Sequence, residues 1–280
     1  MAEEERNRVE YEKSRVNALI DGFTLFDDDL MSRVFDKNIE VTELVLQIIL
    51  GRNIKVISVI GQDELKNHKV GGRNITLDVH AIDVNGEEVD IEVQGNAEGA
   101  HVRRARYHSS MVDSRMLDEG QPFKELKDSY VIFIYKHDKF RRGLPIYHVD
   151  RYVEETDTPF ADGSHIIYVN GNYKGDDKLG QLMADFHQTD FRKIRNVALA
   201  RGVKHYKEKG RERETMCEAV EKYAEERARE REKEGRLEER IASAKNIMDG
   251  LKFSLDQALD ILKIQGDERE LITQQLNKQQ

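Results

Sequence analysis

Three side chains whose types could serve a metal-assisted reaction lie in the stretch GGRNITLDVHAIDVNGEEVDIEVQ, residues 71–94: Asp78, Glu92 and Gln94. In its second half the side chains alternate, with Val89, Ile91 and Val93 on one face and Asp90, Glu92 and Gln94 on the other. Two carboxylates a few Å apart raise each other's pKa unless a divalent cation neutralises them. Oxygen donors with no Cys or His partner suit Mg²⁺ or Mn²⁺ better than zinc. Such an ion orients water, lowers its pKa and stabilises charge on a phosphodiester undergoing in-line displacement. Gln94 cannot be a general base, but its amide can hold the attacking water or a phosphate oxygen. The competing reading is a strand whose acids face solvent. His80 has the same parity as Asp78 and reads as a polar surface histidine.

A shared site requires Asp78 and Glu92 to project from one face of a hairpin. A two-residue Asn85-Gly86 loop would pair Asp78 with Val93 and turn Asp78 toward the apolar side. A three-residue loop, Val84-Asn85-Gly86, with Gly86 left-handed, pairs Asp83 with Glu87 and Asp78 with Glu92. The sequence therefore predicts the bulged hairpin.

The elements that must position this hairpin can be read on either side of it. Residues 1–20 read as a polar helix, solvated and frayed at its start. A stronger helix runs from about Asn38 to Leu50, where Val41, Leu44, Val45 and Ile48 form a stripe that faces a sheet. Glu40 borders that stripe and is the acid of this helix better placed to reach the sheet; Glu43 lies nearly opposite. IKVISVI (54–60) reads as a strand, and residues 101–115 as a helix carrying Arg103, Arg104, Arg106 and Arg115 against one acid, Asp113. SYVIFIY (129–135) is a continuous apolar run suited to a buried central strand. Short strands follow at 146–150 and 165–169, with turns at Asp162-Gly163 and Asn170-Gly171. The order predicts an α/β fold with helices covering a mixed sheet.

Charged residues make up 35% of the 280 and the net charge is −9, so nucleic-acid contact needs a local basic patch, such as Arg103 and Arg106 beside the hairpin. The single cysteine, Cys217, excludes an internal disulfide framework and a cysteine zinc cluster. No apolar run approaches a membrane span and the acidic start lacks a signal core, so a cytoplasmic protein is expected.

Composition changes near residue 200. From Lys204 to Arg240, 24 of 37 residues are charged, twelve Lys or Arg against twelve Glu, which predicts a long exposed helix laced with i, i+4 pairs and not a basic arm. Beyond it, Ser254 and Gln257 form a capping box opening the helix SLDQALDILKI. This end reads as an oligomerisation or packing module, with helix–turn–helix DNA binding as the alternative. The domain reading is a lead-in over 1–21, a core over 22–200 and a charged helical region over 201–280.

Asp78 followed by Glu92-Val93-Gln94 resembles the PD-(D/E)XK nuclease signature, with Gln in the usual Lys position. The runs GRNITLDVHAID, DIEVQ, RRARYHSSMVD, LKDSYVIFIYKHD and IYHVDRY, continued by DGSHIIYVNGNY, KLGQLMADF and NIMDGLKFSLDQALDIL, resemble in order the Rpn group of recombination-promoting nucleases and transposases, over about residues 22–265. The resemblance implies a restriction-endonuclease-like core that hydrolyses DNA phosphodiesters and is linked to recombination or mobile DNA. It implies Mg²⁺ held by Asp78, Glu92 and the backbone carbonyl of Val93, with Gln94 at the catalytic lysine's position and Glu40 matching the helix acid of some members. Without an ammonium at Gln94, transition-state charge must be met by metal or by arginine.

Two other readings remain open on the sequence. One is a nuclease-fold DNA-binding protein that does not cleave. The other is an assembly protein that forms homo-oligomers through its C-terminal helices.

Overall fold

The computed structural model describes residues 11, 14–67, 69, 71–95, 99–208, 213, 215, 239–248, 250, 253–262, 264, 269 and 272–273. The chain divides into two compact units, Met1–Cys217 and Glu218–Gln280.

The first unit contains strands β1 (Val56–Leu65), β2 (Ile75–Asp83), β3 (Glu88–Gln94), β4 (Ser129–Tyr135), β5 (Ile146–Val149), the short β6 (Tyr152–Val153) and β7 (Thr158–Pro159), and β8 (Ser164–Asn170). Six of them form one mixed sheet in the order β1-β2-β3-β4-β8-β5, while β6 and β7 pair separately. The β3–β4 and β4–β8 pairs are parallel, and the remaining pairs are antiparallel. As its apolar run predicts, β4 is a central strand, buried everywhere except half-buried Tyr130.

Helices α1 (Asp28–Phe35), α2 (Ile39–Leu50), α3 (Val102–Asp113), α4 (Lys178–Phe186) and α5 (Val197–Lys207) surround the sheet. In α2 the Asn38 side chain accepts from Val41 N, and Gly51 closes the helix at φ 64°. Its buried face is Val41, Thr42, Val45, Leu46 and Ile49, rotated from the expected stripe because α1, α4 and α5 cover it as well as the sheet. Glu40 then falls opposite the buried face. Glu43, expected to point away, instead accepts from Val56 N at 3.0 Å and anchors the start of β1.

Residues 14–22 are helical, with Val16 and Ile20 buried, so the polar lead-in is part of the first unit from residue 14. Lys207 donates to the carbonyls of Asp21, Phe23 and Thr189, and Arg213 to Asn17. The boundary expected at residue 200 falls inside α5, whose Leu199 and Val203 are fully buried.

In the second unit residues 239–248 are helical, and α6 (Leu255–Ile261) opens with the expected Ser254–Gln257 capping box. Ala244, Ala258, Leu259, Ile264 and Ile272 form its apolar cluster. Beyond Lys207, most of the charged helix expected over 204–240 lies outside the described residues. Among the described residues, no helix is long and apolar enough to cross a membrane.

The hairpin has the bulged form. Val79 pairs with Ile91, His80 with Asp90, Ala81 with Val89 and Ile82 with Glu88, and Asp83 N donates to Glu87 O at 3.1 Å. Residues 84–86 form the loop, with Gly86 at φ 80° where a side chain would be strained. The buried Asp83 carboxylate shapes the turn by accepting from Asn85 N (2.7 Å) and Glu87 N (3.0 Å). The competing reading of solvent-facing acids fails, because β3 is interior and Asp90 and Glu92 are fully buried on the face that α3 covers.

Candidate functional site at the β2–β3 carboxylates

The crossover from β3 to the parallel β4 places α3 over the acid face. Ala105 packs among Val131, Phe133, Tyr135 and Tyr168, and Met111 and Val112 pack on Leu65, Ile75 and Leu77. Beside Asp78 the β1–β2 register is kept, with Gly61 paired with Val79 and Asp63 with Leu77, while between them Gln62 takes φ 56°. Gly61 lies against α1, where a Cβ would come within 2.5 Å of Ser32 O, whereas Leu77 faces α3. The left-handed Gln62 thus accompanies a change of face at Asp78 without a shift of register.

Asp78 and Glu92 are tied reciprocally. Asp78 N donates to Glu92 Oε1 at 3.1 Å, and Val93 N donates to Asp78 Oδ2 at 3.0 Å. Gln94 Nε2 lies 3.4 Å from Glu92 Oε2. Asp78, Glu92, the Val93 N–H and Gln94 are thus joined by hydrogen bonds.

Glu40 stands elsewhere. Glu40 makes a two-pronged contact with Arg201 of α5 at 3.0 and 3.1 Å, with both side chains about two-thirds exposed. Arg103 and Arg106 are exposed on α3. The arginine that turns inward is Arg104, whose Nη2 is 2.6 Å from Glu92 Oε2 and whose Nε donates to His108 Nε2 at 3.3 Å.

Sequence reasoning also passed over Asp90 and His108. Asp90 is fully buried; its Oδ2 is 2.9 Å from His108 Nδ1, and its Oδ1 has no hydrogen-bond partner among the described residues. Because Arg104 donates to His108 Nε2, the imidazole proton sits on Nδ1 and points at Asp90. The parity that selected Glu92 also selects Asp90. A helical wheel of α3 built on Ala105, His108, Ser109 and Val112 puts Arg104 at the border of the buried face and Arg103 across from it. His80, expected at the surface, bridges Asp63 (2.8 Å) and Glu88 (3.0 Å).

Burial dominates the electrostatics. It pushes the Asp78 carboxyl well up, and the charges of Glu92 and of Asp28 in α1 add to this, against the hydrogen bond from Val93. Burial and the charge of Asp78 push Asp90 well up. Glu92 is raised to about 8 by burial and by Asp90, with His108 and Arg104 acting the other way. His108 is lowered by burial first and by Arg104, so its neutral form is favoured. At His80 desolvation opposes the proton, but the hydrogen bonds it donates to Glu88 and Asp63 outweigh it and the pKa rises.

Three buried acids, one of them with an unsatisfied oxygen, face one guanidinium and a neutral imidazole. The cluster is short of positive charge, and its donors are mainly carboxylate oxygens, which suits a hard divalent cation. Among the described residues Asp90, Glu92 and His108 offer ligand atoms within 4.8 Å of one another, and Asp78 is joined to Glu92 through its backbone N–H. Clefts of about 510 Å³, lined by Tyr173, Gln181 and Arg195, and about 600 Å³, lined by Asp113, Phe123 and Leu126, do not include these acids. Of the residues bonded to Glu92, Arg104 and Gln94 are half-buried.

A mixed α/β sheet flanked by helices, with acids and an amide gathered where β2 and β3 meet, defines a PD-(D/E)XK nuclease-like fold. The chain belongs to the PD-(D/E)XK nuclease family transposases, which it matches over residues 33–249. Neither the curated proteins nor the solved structures provide a significant match to the chain.

Proposed function

We propose that this chain is a divalent-metal-dependent DNA endonuclease, serving recombination or mobile DNA, with its site at Asp78, Glu92, Val93 and Gln94. The observation that carries the reading is the reciprocal tie of Asp78 and Glu92, which holds both carboxylates and Gln94 together in a chain of nuclease family. Asp78, Glu92 and the Val93 carbonyl would hold Mg²⁺ or Mn²⁺. When bound, the ion would supply an activated water and charge neutralisation at the scissile phosphate. Gln94 orients water or a phosphate oxygen through its amide. Arg104 provides the positive charge that Gln94 lacks, and His108 and Glu92 hold its guanidinium in place. Asp90 orients His108 through the Nδ1 proton.

The full burial of Glu92 beneath Arg104 favours one second reading, a nuclease-fold protein that binds DNA without cutting it. Incubating supercoiled plasmid with the full chain in Mg²⁺ or Mn²⁺ separates the two. Endonuclease action gives nicked and linear product, lost by at least about a hundredfold in Asp78→Ala and Glu92→Ala, since each 1.4 kcal/mol of barrier is tenfold. Equal product from parent and both variants, or none from any of them in either metal, would overturn the endonuclease.

A further inference from the structure

Next to the carboxylates the sheet ends in a basic loop whose shape is fixed by side chains. The parallel pairing sets Gln94 beside Tyr135, and Lys136 N donates to Gln94 O at 2.9 Å, so the segment KHDKFRRG (136–143) starts at the site's edge. His137 stands edge-on to Tyr135, with ring centroids 5.5 Å apart.

Five consecutive backbone N–H groups of this loop are satisfied by only two residues. Asp138 accepts from Phe140 N (3.1 Å), Arg141 N (2.9 Å) and Gly143 N (2.7 Å). Tyr147 Oη accepts from Arg142 N (3.3 Å) and Leu144 N (3.2 Å), and donates to Asp138 Oδ1 at 2.7 Å. Phe140 anchors the loop tip on Tyr147 and Tyr168, with centroids 4.9 and 5.4 Å apart.

The shape so held is not a relaxed one. Arg141 takes φ 56°, in the left-handed region that arginine seldom adopts, followed by Gly143 at φ 72°. The one acid of the segment is turned inward as a backbone acceptor. Arg141 and Arg142 are turned outward and exposed, with Lys136 half-exposed, and none of the three makes an ion pair with a described residue. A chain of net charge −9 holds polyanions only through local cationic patches, and this patch starts beside Gln94 and runs across the end of the sheet to Tyr147 of β5.

We propose that residues 136–142 form a preshaped grip for the phosphate backbone of duplex DNA, seating one strand beside the Asp78–Glu92 cluster. The choice of DNA rests on the nuclease reading above. Phosphate oxygens would take Arg141 and Arg142, the two cations that the Asp138 turn projects.

Fluorescence anisotropy of a labelled DNA duplex, titrated with the full chain in EDTA across a salt series, reads binding without cleavage. Three variants with parent-like melting are compared: Arg141→Ala/Arg142→Ala, the charge-matched Lys124→Ala/Lys127→Ala at the opposite end of β4, and Asp138→Ala. Loss of both arginines should weaken binding about tenfold or more and lower the salt slope by about 2, as expected for two lost phosphate contacts. The lysine pair should change neither by more than about twofold. Asp138→Ala should also weaken binding although it removes a negative charge, because the loop loses the acceptor that shapes it. Equal losses in the two double variants, or tighter binding by Asp138→Ala, would overturn the preshaped grip. Parent binding that the arginine change weakens, without any plasmid cleavage, would uphold the grip while the endonuclease reading fails.

Discussion

Replacing Glu92 with Gln is expected to flatten the pH dependence of stability of the metal-free protein and to abolish its stabilisation by Mn²⁺. Glu92 is fully buried and its pKa is raised from 4.5 to about 8, first by desolvation and then by Asp90. Below 4.5 the folded and unfolded chains both hold this proton. Between 4.5 and about 8 the folded chain keeps a proton that the unfolded chain has released, so stability falls as pH rises across that window. Asp78 and Asp90 are raised as well and contribute in the same direction. Gln at 92 keeps the shape and still accepts from Asp78 N, but does not titrate. The parent's Tm should therefore drop from pH 5 toward pH 8 more steeply than that of Glu92→Gln. Mn²⁺ should restore the parent at pH 8, where it replaces the proton, and leave the variant unchanged. Thermal melts across pH, with and without Mn²⁺, check both statements. Parallel parent and variant profiles would contradict them.

Arg104→Ala is expected to lower the single-turnover cleavage rate by about a hundredfold, the usual cost of deleting one preorganised charge donor. Arg104 reaches both Glu92 and His108 and is partly exposed, so it can turn from the carboxylate to a phosphate oxygen without leaving the site. Its charge opposes a bound cation, so Mn²⁺ affinity in Arg104→Ala should be equal to or higher than the parent's. A rate loss without loss of metal is the signature that separates charge supply from metal ligation. Arg104→Lys should recover part of the rate, because the charge returns without the forked geometry. An unchanged cleavage rate in Arg104→Ala would remove this residue from the account.

Much of this arrangement was legible in residue order because β pairing is governed by parity. Asn85-Gly86, with acids at 78 and 92, admits one register that brings them together, and that register is present. SYVIFIY could only be a strand buried on both faces, and it is. Properties set by what covers an element were not legible. The acid face of β3 reads as polar and solvated until α3 is laid over it, since nothing local to DIEVQ encodes the helix above. The buried face of α2 depends on three neighbouring helices, so the apolar stripe alone lies a step off it and puts Glu40 at its border. Over residues 101–115 four arginines look equivalent as charge, and only the wheel of buried neighbours in α3 distinguishes Arg104. The Asp138 turn was invisible for a related reason: its acceptors serve backbone groups, which no side-chain pattern reports.

Titration calorimetry of Mn²⁺ into metal-free protein at pH 8 tests most directly whether the Asp78–Glu92 cluster is a cation site. The parent should bind Mn²⁺ with proton release, Asp78→Ala and Glu92→Ala should bind at least about tenfold more weakly, and Glu40→Ala should match the parent. Undiminished binding by Asp78→Ala, or loss of binding in Glu40→Ala, would contradict the site.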